Sequence, residues 1–356
     1  YYIDWLWFKS VGFTSVWSTV LFTKIQLFLI VGLLTAAIIA SNIYIAFKRR
    51  PLYVPTTVEI SGVERLRAQI EPIRRLVFIG LILALTYFAG SSGMVFWKEW
   101  VLFNNASDFG VKDPQFGLDI SFFAFKLPIY QSVIGWATTT LVFALIAAVI
   151  VHYLYSAIRL PQPGQKFGTT GAAQVQLSIL LGLIVLTKAA AYWMDRYALE
   201  LKQSKLITGL TYTDVNAVLP AKSILAAIAL ICALLFFANI FRRSWLLPSA
   251  GVVLMAVSSV LIAGIYPSLI QQFTVKPSES AKEAPFIQKN IDATRAAYGL
   301  SNVQVTDYQA SNVADTAQLR KDAGTVSNIR LIDPSVVSAT FRQLQQIKPY
   351  YAFPDS

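Results

Sequence analysis

The run LPIYQSVIGWATTTLVFALIAAVIVHYLYSAI, from Leu127 to Ile158, contains no Asp, Glu, Lys or Arg and is closed by Lys126 on one side and Arg159 on the other. An α-helix rises about 1.5 Å per residue, so about 20 apolar residues cross about 30 Å of hydrocarbon. This run is long enough to do so, and five more charge-free runs meet the same condition: 25–47, 76–97, 167–187, 223–241 and 244–275. The predicted fold class is an α-helical polytopic membrane protein. Six spanning helices occupy 25–275, behind an interfacial segment at 1–24 and ahead of a polar domain at 276–356.

Composition points the same way. The chain is 55% hydrophobic and only 14% charged, with a mean hydropathy of +0.55, on the apolar side of soluble-domain norms. A net charge of +11 invites a nucleic-acid reading, but that needs Lys and Arg gathered on one solvated face. Here they gather at helix ends, so membrane lipids, and no nucleic acid, are the expected contacts. Cys232 is the single cysteine and His152 the single histidine, which excludes an intrachain disulfide and any site built from several histidines.

The basic residues orient the helices. Lys48, Arg49, Arg50, Arg65, Arg67, Arg74 and Arg75 crowd the loop 48–75, and Arg159, Lys166, Arg242 and Arg243 fall on the same side. The positive-inside rule makes that side cytoplasmic. The opposite loops, 98–126 and 195–219, hold six basic residues against seven acidic ones and are expected outside. Trp97, Trp100 and Trp193 lie at predicted outer edges and Trp245 at an inner one, where amphipathic rings prefer to sit. Both ends of this chain then lie outside, and since it lacks an initiator Met, a preceding seventh helix is expected. Residues 1–23, with Trp5, Trp7, Phe8 and Trp17, read either as an interfacial helix or as the head of the first span.

At Lys276-Pro277-Ser278-Glu279-Ser280 the composition turns polar. Phe286, Ile287, Ile291 and Tyr298, closed by Gly299, space as an amphipathic helix; Val303/Val305 and Ile329/Leu331 alternate as strands; Asp333-Pro334 opens a helix through Leu344. The expectation is the start of an extracytoplasmic α/β domain, incomplete in this chain.

Three constellations are candidates for chemistry or binding. The outer loop 108–119 carries Asp108, Asp113 and Asp119 among Gly110, Pro114 and Gly117. Hard cations favour carboxylate oxygens, but this spacing is not an EF-hand, and Asp-Pro with Gly is also ordinary turn chemistry. Phe116, Phe122 and Phe123 beside it are candidate partner contacts. Lys188 falls about 9 Å of rise inside the outer end of a helix spanning 174–194, and an intramembrane charge invites a functional reading. Tyr192 and Asp195 share its face, so the three form a polar stripe for a proton or an anion, or else Lys188 snorkels with Asp195 as a structural partner. Asp214 and Lys222, with Asn216 and Pro220, form an outer cluster suited to capping and docking. Gly90-Ser91-Ser92-Gly93 permits close helix approach. No phosphate-cradling loop, nucleophile elbow or zinc spacing occurs, so no catalytic residue, metal or cofactor is assigned.

Several runs resemble uncharacterised protein family 0182: Asp108 to Tyr130, Lys188 to Tyr197, Tyr212 to Lys222, and Asn328 to Pro334. The resemblance implies a large bacterial membrane protein of a kind common in actinobacteria, with about seven spans before a big extracytoplasmic domain, and it implies no reaction. The functional expectation is an anchor or scaffold in the bacterial plasma membrane, its extracytoplasmic domain meeting envelope components or partner proteins. The alternative is a transporter or lipid-handling protein working through Lys188 and Asp195.

Overall fold

The computed structural model describes residues 1–51, 67–159, 168–204, 207–242, 246–307, 316–321, 324, 327–329, 334–345 and 350. Expectations resting on Arg65, Lys166, Arg243, Trp245, Asp333 and the end of the strand at 329–331 lie outside the described residues.

Among the described residues, six helices are long and apolar enough to cross a membrane. A short helix α1, Tyr2–Ser10, turns at Gly12 into α2, Thr14–Lys48, so the first span begins well before Ile25 and the separate segment is α1 alone. The second span contains α3, Arg74–Gly93, and α4, Trp97–Asn104. Then come α5, Leu127–Leu154, α6, Gly171–Ala198, and α7, Leu219–Arg242. Two short strands, β1 at Ile158–Arg159 and β2 at Gly168–Thr169, pair antiparallel between α5 and α6. The last span opens with α8, Leu246–Ser258, passes through the single turn α9, Tyr266–Leu269, and stays helical to the end of α10, Glu279–Ala297. The polar stretch that begins at Lys276 therefore starts as a continuation of the sixth span.

Among the described residues, four wide π-helical turns interrupt these helices, at Phe122–Lys126, Asp214–Val218, Ser259–Ile265 and Ile270–Val275. Each one precedes a proline by two residues: Pro128, Pro220, Pro267 and Pro277. A helical proline has no N–H for the carbonyl four residues back, and its ring collides with that carbonyl. Widening the preceding turn relieves the collision and lets the helix continue.

The spans pack in the order α3, α2, α5, α6, α7, α8. Small residues set the contacts, as expected where backbones rather than side chains must approach. A methyl added at Gly90 would come within 2.7 Å of the Phe28 carbonyl, one at Gly93 within 2.6 Å of Val31, and one at Gly32 within 2.6 Å of the Thr86 carbonyl. The expected close approach at Gly90 and Gly93 is thus the α2–α3 seam. Between α6 and α7, Ala189, Ala229, Cys232 and Ala233 pack around Phe236; between α2, α5 and α6, Ile39, Ala144, Ala148, Leu177 and Leu180 form the second core.

Several polar side chains inside the row are paired. Asn239 donates to Ser178 at 2.7 Å, Trp136 to Thr35 at 2.8 Å and Thr138 to Thr187 at 2.9 Å. Gln176 meets His152 at 3.1 Å and donates to the Asn42 carbonyl at 2.9 Å. Each bond satisfies groups that hydrocarbon would leave unpaired. By contrast Leu76, Leu83, Phe88, Phe143, Ile150, Leu234 and Phe273 are exposed, an apolar belt suited to acyl chains.

The chain divides into two compact units, Tyr1–Tyr298 and Gly299–Ser356. In the second, helices α11, Thr316–Lys321, and α12, Pro334–Leu344, are described. The strand expected at Val303–Val305 is not formed. Among the described residues beyond Lys276 there are helices and no strand, so the α/β character expected there is not what the structure shows.

Candidate functional site

The end of the row away from the arginine-rich loops carries the expected polar candidates, and carboxylates organise it. Loop 105–121 folds on itself first. Asp113 accepts the N–H groups of Gln115 (2.9 Å) and Phe116 (2.6 Å), and its own N–H reaches the Leu118 carbonyl at 2.7 Å, closing a turn at Gly117, φ +68°. Asp119 accepts from Ser121 N (2.8 Å), Gly110 N (2.9 Å) and Phe109 N (3.1 Å). The Ser121 hydroxyl and amide, with the Phe109 and Gly110 amides, hold the Asp119 carboxyl down at about 2, because every one of these bonds favours its ionised form. Asp108 lies 3.3 Å from the same hydroxyl oxygen. All three carboxylates thus face the loop's own donors, and no group of three metal-ligating side chains occurs among the described residues.

Phe116, Phe122 and Phe123 turn inward. Phe116 and Phe122 lie 4.9 and 5.4 Å from the Tyr197 ring at the end of α6, and Phe123, 6% exposed, meets both. Their first role is the loop's own packing; Phe109, Val111 and Ile120 of the loop are exposed. Arg196 stacks over Trp193 at 4.3 Å beside them.

Asp195 does not meet Lys188. It pairs with Lys222 of α7 at 3.0 Å, which joins the second and third constellations. Lys188 is exposed on α6 and makes no hydrogen bond or ion pair among the described residues. Tyr192, on the same face, instead packs at the α6–α7 core and borders a cavity of about 270 Å³ with Val185, Phe236, Val252 and Met255.

Asp214, 1% exposed, pairs with Lys202 at 2.7 Å and accepts the Thr211 hydroxyl and amide at 2.8 and 3.2 Å. The carboxylate thus joins Lys202 to the start of this helical segment. Three partners were not visible in the sequence. Glu283 of α10, 4% exposed, accepts the Tyr212 N–H at 3.0 Å. Asn290, two turns on, donates to the Thr208 carbonyl at 2.8 Å. Glu200 lies beside Asp113 of the loop, carboxyl next to carboxyl. Segment 199–214 is thereby held to α10 at Tyr212 and Thr208. Only Glu283's helical spacing from Phe286 and Asn290, which puts the three on one face, was a signal that could have found it.

The family model described as Uncharacterised protein family (UPF0182) matches residues 1–356. This chain belongs to that family. A UPF0182 protein of Streptomyces coelicolor is 45% identical over 99% of the chain, and relatives from Thermobifida fusca and Frankia alni are each 46% identical over 99%. The chain spans about a third of their length: 36%, 35% and 34%. No solved structure matches it. The UPF0182 family is uncharacterised, so any activity must be argued from the residues described above.

Proposed function

We propose that this part of a UPF0182 protein is a plasma-membrane anchor or scaffold for an extracytoplasmic region that contacts envelope components or partner proteins. The observation that carries this reading is the bond from Tyr212 to Glu283. A buried carboxylate on the helix leaving the sixth span is locked to the loop between α6 and α7, so the exit direction of the polar chain is set by the bundle. A flexible tether needs no such lock. The excess of Lys and Arg in loop 48–75 supports placing the carboxylate end outside.

Transport through Lys188 and Asp195 has less support, because Lys222 already engages Asp195. The anchor reading is tested by a photo-crosslinking residue at exposed Phe109. In intact cells it should give discrete protein adducts, whereas one at lipid-facing Leu234 should give none. Equal, diffuse labelling at both sites would contradict the reading.

A further inference from the structure

At the opposite end of the row, three guanidinium groups close around two aromatic rings. Phe47 ends α2 and Tyr155 follows α5; their ring centroids are 5.2 Å apart, edge to face. Arg50 lies 3.9 Å from the first ring and 5.2 Å from the second, Arg67 is 4.9 Å from Tyr155, and Arg74 is 5.3 Å from Phe47. Stacking on ring faces fixes the planes of the guanidiniums and leaves their N–H edges free to donate. The one carboxylate there among the described residues, Glu71, is engaged by Arg74 and by the Tyr155 hydroxyl at 3.1 Å. Three positive charges therefore face one negative. One Nη of Arg50 is fully buried and has no hydrogen-bond partner, and a buried cationic donor without an acceptor is strongly unfavourable.

We infer that this cluster binds a phosphate group, carried by an anionic phospholipid of the adjoining leaflet. Guanidinium forks match the paired oxygens of a phosphate, and two surplus positive charges suit a ligand with net negative charge. The lipid source follows from the surroundings. The cluster sits where three apolar spans end, at headgroup level, and Tyr44, Ile73, Leu76 and Val77 beside it are exposed, giving acyl chains an apolar surface to lie along. Basic pockets between spanning helices bind such headgroups in general.

The test is thermal unfolding of the whole chain in a neutral detergent, titrated with phosphatidylglycerol, phosphatidylcholine or inorganic phosphate. Phosphatidylglycerol should raise the unfolding temperature saturably, and the other two should not. Arg50→Gln should weaken the phosphatidylglycerol midpoint by about tenfold or more. Arg50→Lys should fall between, because it keeps the charge and loses the fork, and Arg75→Gln should match the parent. Should Arg50→Gln not fold, Arg67→Gln serves in its place. An equal shift from inorganic phosphate, abolished by the same variants, would overturn the lipid assignment. A phosphatidylglycerol shift unchanged in Arg50→Gln and Arg67→Gln, or no shift at all, would overturn the site.

Discussion

Glu283 accepts the backbone N–H of Tyr212 at 3.0 Å from a position that is only 4% exposed. The two residues lie far apart in sequence, yet this bond ties the continuation of the sixth span to the loop joining the fourth and fifth. Tyr212 strengthens the joint with its ring, which meets Phe286 edge to face at 6.4 Å and lies under Lys282 at 5.0 Å. A buried N–H that loses its acceptor is penalised more than the bond itself is worth.

Glu283→Ala should therefore destabilise the docking of α10 by about 1–3 kcal/mol. Hydrogen exchange at the Tyr212 amide should speed up, together with that of α10, while exchange in α2 and α5 stays unchanged. Glu283→Gln, whose side-chain carbonyl still accepts, should lose less.

Lys222→Met and Asp195→Asn should each lower stability in detergent, and a double-mutant cycle should return a coupling of about 1 kcal/mol, as suits a partly exposed pair. Lys188→Met should change stability little and show no coupling to Asp195. A coupling between Lys188 and Asp195 as large as that with Lys222 would contradict the observed pairing.

The depressed pKa of Asp119 fixes the sign of a pH effect. Its carboxyl titrates near 2 in the folded loop against about 3.9 in an unfolded chain. The stabilisation is complete above the unfolded value and is lost as pH falls through about 2. Amide resonances of Phe109, Gly110 and Ser121 should hold their positions from pH 7 to about pH 4 and move together only below about pH 3. Asp119→Asn should disorder the loop at neutral pH, since one carboxylate oxygen that accepts amides is replaced by an NH₂ group.

Gly90→Ala should lower stability by about 1–3 kcal/mol through overpacking, because its new methyl would lie 2.7 Å from the Phe28 carbonyl. Gly80→Ala on the same helix, where an added methyl meets nothing within 4 Å, should leave stability unchanged or slightly raised.

The spans are legible in the sequence because hydrocarbon imposes one rule, an unbroken apolar run of bilayer length, and all six runs obey it. The α2–α3 seam is legible for a related reason: Gly90 and Gly93 stand one turn apart in a helix otherwise rich in large side chains. The site is legible only in part. The choice of Lys222 over Lys188 as partner of Asp195 depends on how α6 and α7 face each other. Helical spacing put Lys188 and Asp195 on one face, but seven residues separate them, and a neighbouring helix offered the nearer charge. Phe116, Phe122 and Phe123 look like a contact surface in sequence because an aromatic run beside a polar loop does not disclose that Tyr197 waits above it. Val303 and Val305 alternate like a strand but find no partner strand among the described residues, and alternation alone does not supply one.

The anchor proposal stands most directly on which side of the membrane the carboxylate end faces. Two single-thiol variants made with Cys232 replaced, Gln69→Cys at the arginine-rich end and Ser301→Cys beyond α10, decide it when intact cells are treated with a membrane-impermeant maleimide. The account predicts that Ser301→Cys is labelled in intact cells and Gln69→Cys only after the membrane is opened. Labelling of Gln69→Cys in intact cells with protection of Ser301→Cys would contradict it.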